Sequence, residues 1–182
     1  MKFIQTPLTD VLIIEPDIFG DERGFFLETW HYKKFMDGGI NAEFVQDNHS
    51  RSTRNILRGL HYQIQQPQGK LVRVVEGSIF DVVVDLRKSS ESFGRWYGHT
   101  LSSENKSMLW CPPGFAHGFL VTSDYADVCY KCTDYYALEH DRTLRWDDET
   151  VSVNWPLEGG LEPVLSEKDR NGKALEEADV FP

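Results

Sequence analysis

Apolar and polar residues alternate in short runs along most of the chain, and that period of two predicts strands. "VLIIEP" (11–16) reads as a short apolar strand closed by Pro16. Further strands are expected over 43–48, 54–64, 70–76, 79–86, 95–101, 107–111, 117–122 and 127–136. Turn residues separate them: Gly77, Gly94, Ser102-Ser103, Pro112-Pro113-Gly114 and Ser123-Asp124. In "KLVRVVEGSIFDVVVDLR", Glu76-Gly77-Ser78 divides two alternating runs rich in β-branched residues, which predicts a β-hairpin. Helical spacing is confined to one short piece, from about Trp30 to Met36, ending at Gly38-Gly39. The C-terminal stretch from Leu157 is polar and weakly periodic, so an irregular tail with a helical turn is expected there. Many short strands with little helix indicate an all-β sandwich or barrel.

The 182 residues suffice for one domain with a real core, expected to span 1–182. Aromatics at 13% suit a β barrel with a wide interior. No apolar run is long enough to span a bilayer, and "MKFIQTPLTD" lacks the hydrophobic region of a secretory signal, so a cytoplasmic protein without a membrane partner is expected. A net charge of −10 with no Lys/Arg cluster argues against nucleic acid as a partner. An acidic chain that binds a phosphorylated small molecule must instead bring its few cations together at one pocket. Cys111, Cys129 and Cys132 are an odd number, which disfavours a disulfide framework. The "CYKC" spacing is half a zinc site without its other half, and residues three apart on a strand point to opposite faces.

Two histidines interrupt otherwise ordinary strand patterns, in "RGLHYQ" (58–63) and "WCPPGFAHGF" (110–119). Strict alternation places Leu57, Gly59, His61 and Gln63 on one face, with Arg58, Leu60 and Tyr62 on the other. A glycine beside each imidazole is read as room for a ligand. A single such histidine is most simply a hydrogen-bonded core residue, but two beside glycines suit a site. Pro112-x-Gly114-x-x-His117 resembles the second motif of the cupin barrel. Gly59, His61-x-Gln63, Lys70 and Gly77 resemble a degenerate first motif. A cupin metal site needs several imidazoles and a carboxylate, whereas this chain offers an amide at Gln63 and a cation at Lys70. No metal is therefore expected. A base, a fixed cation and the phenol of Tyr130, which alternation places with Val128 and Cys132, suit proton abstraction next to a ketone. Taken singly, Lys70 reads equally as a solvated strand-edge charge and Tyr130 as a barrel-lining aromatic.

Longer stretches carry more. "FGDERGFFLETW", "FVQDNHSRS", "LRGLHYQ", "QGKLVRVVEGSIFDVVVDLR", "FGRW", "LSSENKSMLWCPPGFAHGF", "YKCTDYY" and "LSEKDRNG" closely resemble, in order, the dTDP-4-dehydrorhamnose 3,5-epimerases. The resemblance implies a cupin jelly-roll barrel, a homodimer that exchanges strands, and a dTDP-sugar substrate. It also implies inversion of carbons 3 and 5 flanking a 4-keto group, without metal or organic cofactor. The product would serve lipopolysaccharide, another glycan or a secondary metabolite. By the same resemblance His61 is the base, Asp169 the carboxylate that polarises it, Lys70 the enolate-stabilising ammonium and Tyr130 the proton donor on the opposite face. Substrate contacts are implied for Arg23, Glu28, Gln46, Asp47, Asn48, Arg58, His117, Asp141 and Lys168. Arg23, Arg58 and Lys168 would supply the cations that a diphosphate needs.

Three features depart from a simple transfer. Alternation points Arg58 away from His61, so either Gly59 bends the strand or Arg58 serves a neighbouring subunit. Where the family has Glu in "EHERG", this chain has Asp141 in "EHDRT", one methylene shorter, and Cys111 stands in place of an aliphatic residue. The alternatives are an epimerase acting on carbon 3 or carbon 5 alone, a metal-dependent cupin oxygenase, and a non-catalytic sugar-binding cupin.

Overall fold

The computed structural model describes all 182 residues apart from the side chain of Glu158. The strands are β1 (Lys2–Gln5), β2 (Leu12–Glu15), β3 (Ile18–Asp21), β4 (Gly24–Leu27), β5 (Gln46–Thr53), β6 (Leu57–Gln63), β7 (Lys70–Glu76), β8 (Ser78–Asp85), β9 (Trp96–Ser102), β10 (Met108–Cys111), β11 (Phe115–Val121), β12 (Tyr125–Cys132) and β13 (Asp141–Thr143). Two short α-helices, α1 (Tyr32–Asp37) and α2 (Glu167–Arg170), complete the regular structure together with a few 3-10 turns. One sheet runs β1-β2-β10-β7-β12-β5, a second runs β13-β6-β11-β8-β9, and β3-β4 form a separate ribbon. Every strand pairing is antiparallel.

The two sheets face each other as the halves of a cupin jelly-roll barrel. Ile13, Val72, Val74, Leu109 and Val128 from the first meet Ile79, Val83, Phe115, Phe119 and Val121 from the second in a shared core. A second cluster covers the back of the five-stranded sheet. There Leu57, Leu60, Tyr62, Val82, Val84 and Leu120 pack against Leu144, Val151, Trp155 and Leu175. The irregular tail therefore closes one face of the barrel, at about 1.5–3 kcal/mol for each large apolar side chain buried. A third cluster seats Phe35 of α1 and Ile40 on Leu12, Ile14, Met108 and Trp110.

The expected hairpin at Glu76-Gly77-Ser78 does not form. β7 lies between β10 and β12 in one sheet, and β8 lies between β11 and β9 in the other. The turn is a corner from sheet to sheet. Gly77 has φ +79°, and a Cβ there would stand 2.0 Å from the Tyr125 carbonyl oxygen. A hairpin and a corner share the same alternation and turn residues, but β8 is buried on both faces from Asp81 to Asp85, as suits a central strand. The strand expected over 127–136 ends at Cys132, and the one expected over 43–48 lies at 46–53. β5 is a polar edge strand, "QDNHSRST", with no apolar run to mark its extent.

β6 carries the irregularity that matters most for the site. Arg58 pairs with Phe119 and His61 with His117, so Gly59 and Leu60 together stand opposite Gly118. That extra residue inverts the alternation. Leu57, Leu60 and Tyr62 enter the outer cluster, whereas Arg58 and His61 share the opposite face, beside Phe119 and His117. The irregularity at Gly59 thus puts Arg58 on the same face as His61, and Leu57 leaves the face assigned to it by strict alternation. Gly59 makes no room for a ligand. It has φ +129°, and a Cβ would lie 2.5 Å from Gly118 Cα, so the glycine permits two backbones to touch.

Candidate active site

His61 lines a cavity of about 280 Å³ together with Gln46, Asn48, Tyr62, Gln63, Gln68, Lys70, Tyr130, Tyr136, Asp141 and Lys168. A larger cavity of about 430 Å³, beside Arg87, Ser90 and Arg95, contains none of the candidate residues. Convergent chemistry, rather than size, marks the first as the site.

The imidazole is anchored by the tail. His61 Nε2 lies 2.6 Å from Asp169 Oδ1, and Asp169 is only 3% exposed. Asp169 is the third residue of α2, and Ser166 caps that helix by accepting from the Asp169 N–H at 3.2 Å. The Ser166 hydroxyl also donates to Asp169 Oδ2 at 2.6 Å, and the Gly59 N–H donates to Oδ1 at 3.3 Å. Burial pushes the Asp169 carboxyl up, but the bonds from His61, Ser166 and Gly59 outweigh it and hold the group below the usual carboxylate range. Burial acts on His61 in the opposite sense. It drives the imidazole below its ordinary 6.5 despite the Asp169 bond, and the ammonium charges of Lys168 and Lys70 reinforce the shift. At neutral pH the pair is therefore a carboxylate and a neutral imidazole. With Nε2–H donated to Asp169, Nδ1 carries the lone pair that can take a proton.

Lys70 opens β7, is 9% exposed, and donates from Nζ to the His61 carbonyl at 3.3 Å. Tyr130 lies on β12 opposite Val72 and Asn48 and packs against the inner core. Its burial raises the phenol's pKa and keeps the group protonated. At the cavity mouth Asp141 pairs with Lys168 and accepts from the Tyr136 hydroxyl at 2.9 Å. Burial, followed by that bond, pushes Tyr136 up to about 12.

The remaining candidates are placed differently. Gln46 and Asn48 line the cavity and bond each other, Nε2 to Oδ1, at 3.1 Å. Asp47 points to the other side of β5, where it holds Lys131 at 2.9 Å beside a separate cavity lined by Arg73 and Cys129. Arg58 is exposed and donates to Ser52 Oγ at 2.9 Å. His117 stands opposite His61 but does not line the cavity; its Nε2 lies 2.8 Å from Asp81 Oδ1, and Asp81 is fully buried. Arg23, on the β3-β4 ribbon, pairs with Asp21, and Glu28 holds Lys34 at 2.8 Å. Neither lines the cavity within this chain.

The polar groups are not arranged for a metal. Gln63 Nε2 donates to the Gln66 and Tyr135 carbonyls at 2.7 and 3.2 Å, and its Oε1 accepts from the Ala137 N–H at 2.9 Å. His117 is committed to Asp81. Among the described residues, no three His, Cys, Asp or Glu side chains converge to hold an ion.

Residue-level reading of the sequence missed Tyr136, Gln68 and Asp81. Tyr136 fell at the end of a strand expected to continue, and Asp81 sits among valines as an apparent solvent-facing break. "SEKD" does carry the Ser-x-x-Asp pattern of a helix start, so the cap on Asp169 was legible although its bond to His61 was not.

Residues 5–177 match the family described as dTDP-4-dehydrorhamnose 3,5-epimerase. The chain is 54% identical over 183 residues to the enzyme of that name from Pseudomonas aeruginosa, covering 100% of both chains. It superposes with a TM-score of 0.94 on the Legionella pneumophila dTDP-6-deoxy-D-glucose-3,5-epimerase, crystallised with dTDP-4-keto-L-rhamnose. That pair is 50% identical over 98% of this chain and 94% of the other. A 3'-monoepimerase from Streptomyces bikiniensis, crystallised with dTDP-quinovose, is further away: 31% identical, with a TM-score of 0.86 over 94% of this chain and 88% of its own. With its barrel, its cavity and its full-length match in agreement, the chain belongs to the dTDP-4-dehydrorhamnose 3,5-epimerase family.

Proposed function

We propose that this chain inverts carbons 3 and 5 of dTDP-4-dehydro-6-deoxy-D-glucose to give dTDP-4-dehydro-L-rhamnose, with His61 as the base. The observation that carries the assignment is the 2.6 Å bond between His61 and a buried carboxylate, in one cavity with Lys70 and Tyr130. Each carbon is acidic because it adjoins the C4 ketone. His61 Nδ1 takes the proton, the C–H electron pair moves to the C4 oxygen, and the Lys70 ammonium steadies the resulting enolate. Collapse of the enolate takes a proton from Tyr130 on the opposite face. One inversion leaves an imidazolium and a phenolate, and exchange with solvent resets both before the second. Asp169 offsets the positive charge that develops on His61, so the bond tightens as the proton arrives.

The same reading makes residues 1–182 one working domain and the enzyme a cytoplasmic homodimer. Its product would enter rhamnose-containing glycans such as lipopolysaccharide. The exposed Phe19, Phe25 and Phe26 of the β3-β4 ribbon support the dimer, since a partner would cover them and bring Arg23 and Glu28 to its own cavity. Among the described residues, no helix is long and apolar enough to cross a membrane. The test is a coupled assay of the protein with dTDP-4-dehydro-6-deoxy-D-glucose, a 4-ketoreductase and NADPH. Formation of dTDP-L-rhamnose is expected; a product inverted at one carbon only, or at neither, would overturn the assignment.

A further inference from the structure

The carboxylate behind His61 comes from a tail segment outside both sheets, yet both ends of that segment are tied to the strand that carries the base. Upstream, Val164 forms a parallel bridge with Ile56. Its N–H donates to the Asn55 carbonyl at 2.8 Å and its carbonyl accepts from the Leu57 N–H at 3.1 Å, so the tail meets the chain where β6 begins. The Asn55 side chain adds a bond from Nδ2 to the Glu162 carbonyl at 2.8 Å. Downstream, Lys173 forms a second parallel bridge, with Leu144. Its N–H donates to the Thr143 carbonyl at 3.0 Å, and its carbonyl accepts from the Arg145 N–H at 2.8 Å. Leu144 in turn exchanges backbone bonds with Leu60, next to His61. α2 is thus suspended between two fixed points, with Asp169 between them.

A helix of four residues has too few internal bonds to hold its own position, so the aim of Asp169 depends on the contacts that flank it. Two of these lie three positions to either side. Ser166 Oγ donates to Asp169 Oδ2 at 2.6 Å, which leaves Oδ1 to face the Gly59 N–H and His61 Nε2. Gly172 lies against the backbone of Arg145, where a Cβ would stand 2.9 Å from both Cα and N. A backbone neighbour cannot rotate aside as a side chain can. We propose that Ser166 and Gly172 are positioning residues for the proton abstraction, acting through Asp169. Ser166 sets the rotation of the carboxylate, and Gly172 sets how closely the tail that carries it approaches His61. The inference rests on the epimerase reading of this cavity.

The test is a double-mutant cycle on the full chain in the coupled assay, with the imidazole Nε2–H resonance of His61 followed by NMR in parallel. Ser166→Ala should lower kcat roughly fivefold with KM within about twofold, and Ser166→Thr, which keeps the hydroxyl, should restore the rate. Gly172→Ala should lower kcat by a similar factor. In an Asp169→Asn background neither substitution should cost more than about twofold, because the charge they aim is gone. In the substrate-free protein both should move the His61 resonance upfield as its bond to Asp169 lengthens. A wild-type kcat and resonance in Ser166→Ala would overturn the proposal, as would an equal fractional loss with and without the Asp169 carboxylate. Should Gly172→Ala fail to fold, the Ser166 cycle decides alone. Failure of the epimerase reading itself would look different: the wild-type chain would give no turnover, while the resonance would still report the positioning.

Discussion

Replacing Asp169 by Asn probes the link between the tail and the base. The amide is isosteric and still offers an oxygen to the Gly59 N–H and a partner to Ser166, so the cap on α2 survives. What it loses is the charge 2.6 Å from His61 Nε2, at a side chain 3% exposed. A hydrogen bond to a charged partner contributes about 1.5–3 kcal/mol, and this one reaches full strength only when His61 has become an imidazolium. Lost from the transition state alone, that is roughly a 10- to 150-fold fall in kcat, with KM little changed. The pH profile gives a second reading. His61 is already held below 6.5 by burial, with Asp169 opposing that shift. The base works in its neutral form, so wild-type kcat/KM should hold through neutrality and fall only below 6.5. Removing the carboxylate depresses His61 further and moves that acid limb to still lower pH. Steady-state rates between pH 5 and 8 would measure both effects. A kcat within twofold of wild type, with an unmoved acid limb, would refute the polarising role.

Tyr130→Phe removes a proton donor and keeps the ring, so net inversion should fall roughly 10²–10⁴-fold while His61-dependent deuterium exchange into substrate persists better. Equal loss of both would leave Tyr130 only positioning substrate. Gly59→Ala puts a methyl 2.5 Å from Gly118 Cα at φ +129°, so the variant should be destabilised by about 3 kcal/mol or more in urea unfolding. Near-wild-type stability would mean that β6 and β11 can separate freely. The wild-type acid limb should lie below 6.5, and a limb above that value would contradict a buried neutral His61.

The barrel was legible because alternation and turn residues are local properties. Strand 70–76 was placed with its observed ends, and the others mostly within two or three residues. What failed depends on distant partners. The corner at Gly77 looks like a hairpin until β10, β12, β11 and β9 are seen flanking its two arms. The inversion of faces at Gly59 exists only because β11 supplies a single Gly118 opposite two residues. In the site, His61 and His117 announced themselves by being polar in apolar strands. Asp169 lies 108 positions from His61 in a polar tail, and family resemblance rather than spacing pointed to it. Tyr136 had no local signal, since its N–H is held by Gln46 and its hydroxyl by Asp141, both from elsewhere in the chain.

Proton exchange at the two carbons isolates the step assigned to His61. The protein would be incubated in heavy water with dTDP-4-dehydro-6-deoxy-D-glucose, and deuterium followed by NMR at carbons 3 and 5. Label is expected at both positions with the wild-type chain and at neither with a folded His61→Asn variant. Label at only one carbon would contradict the double inversion, and near-normal exchange in the variant would remove His61 as the base.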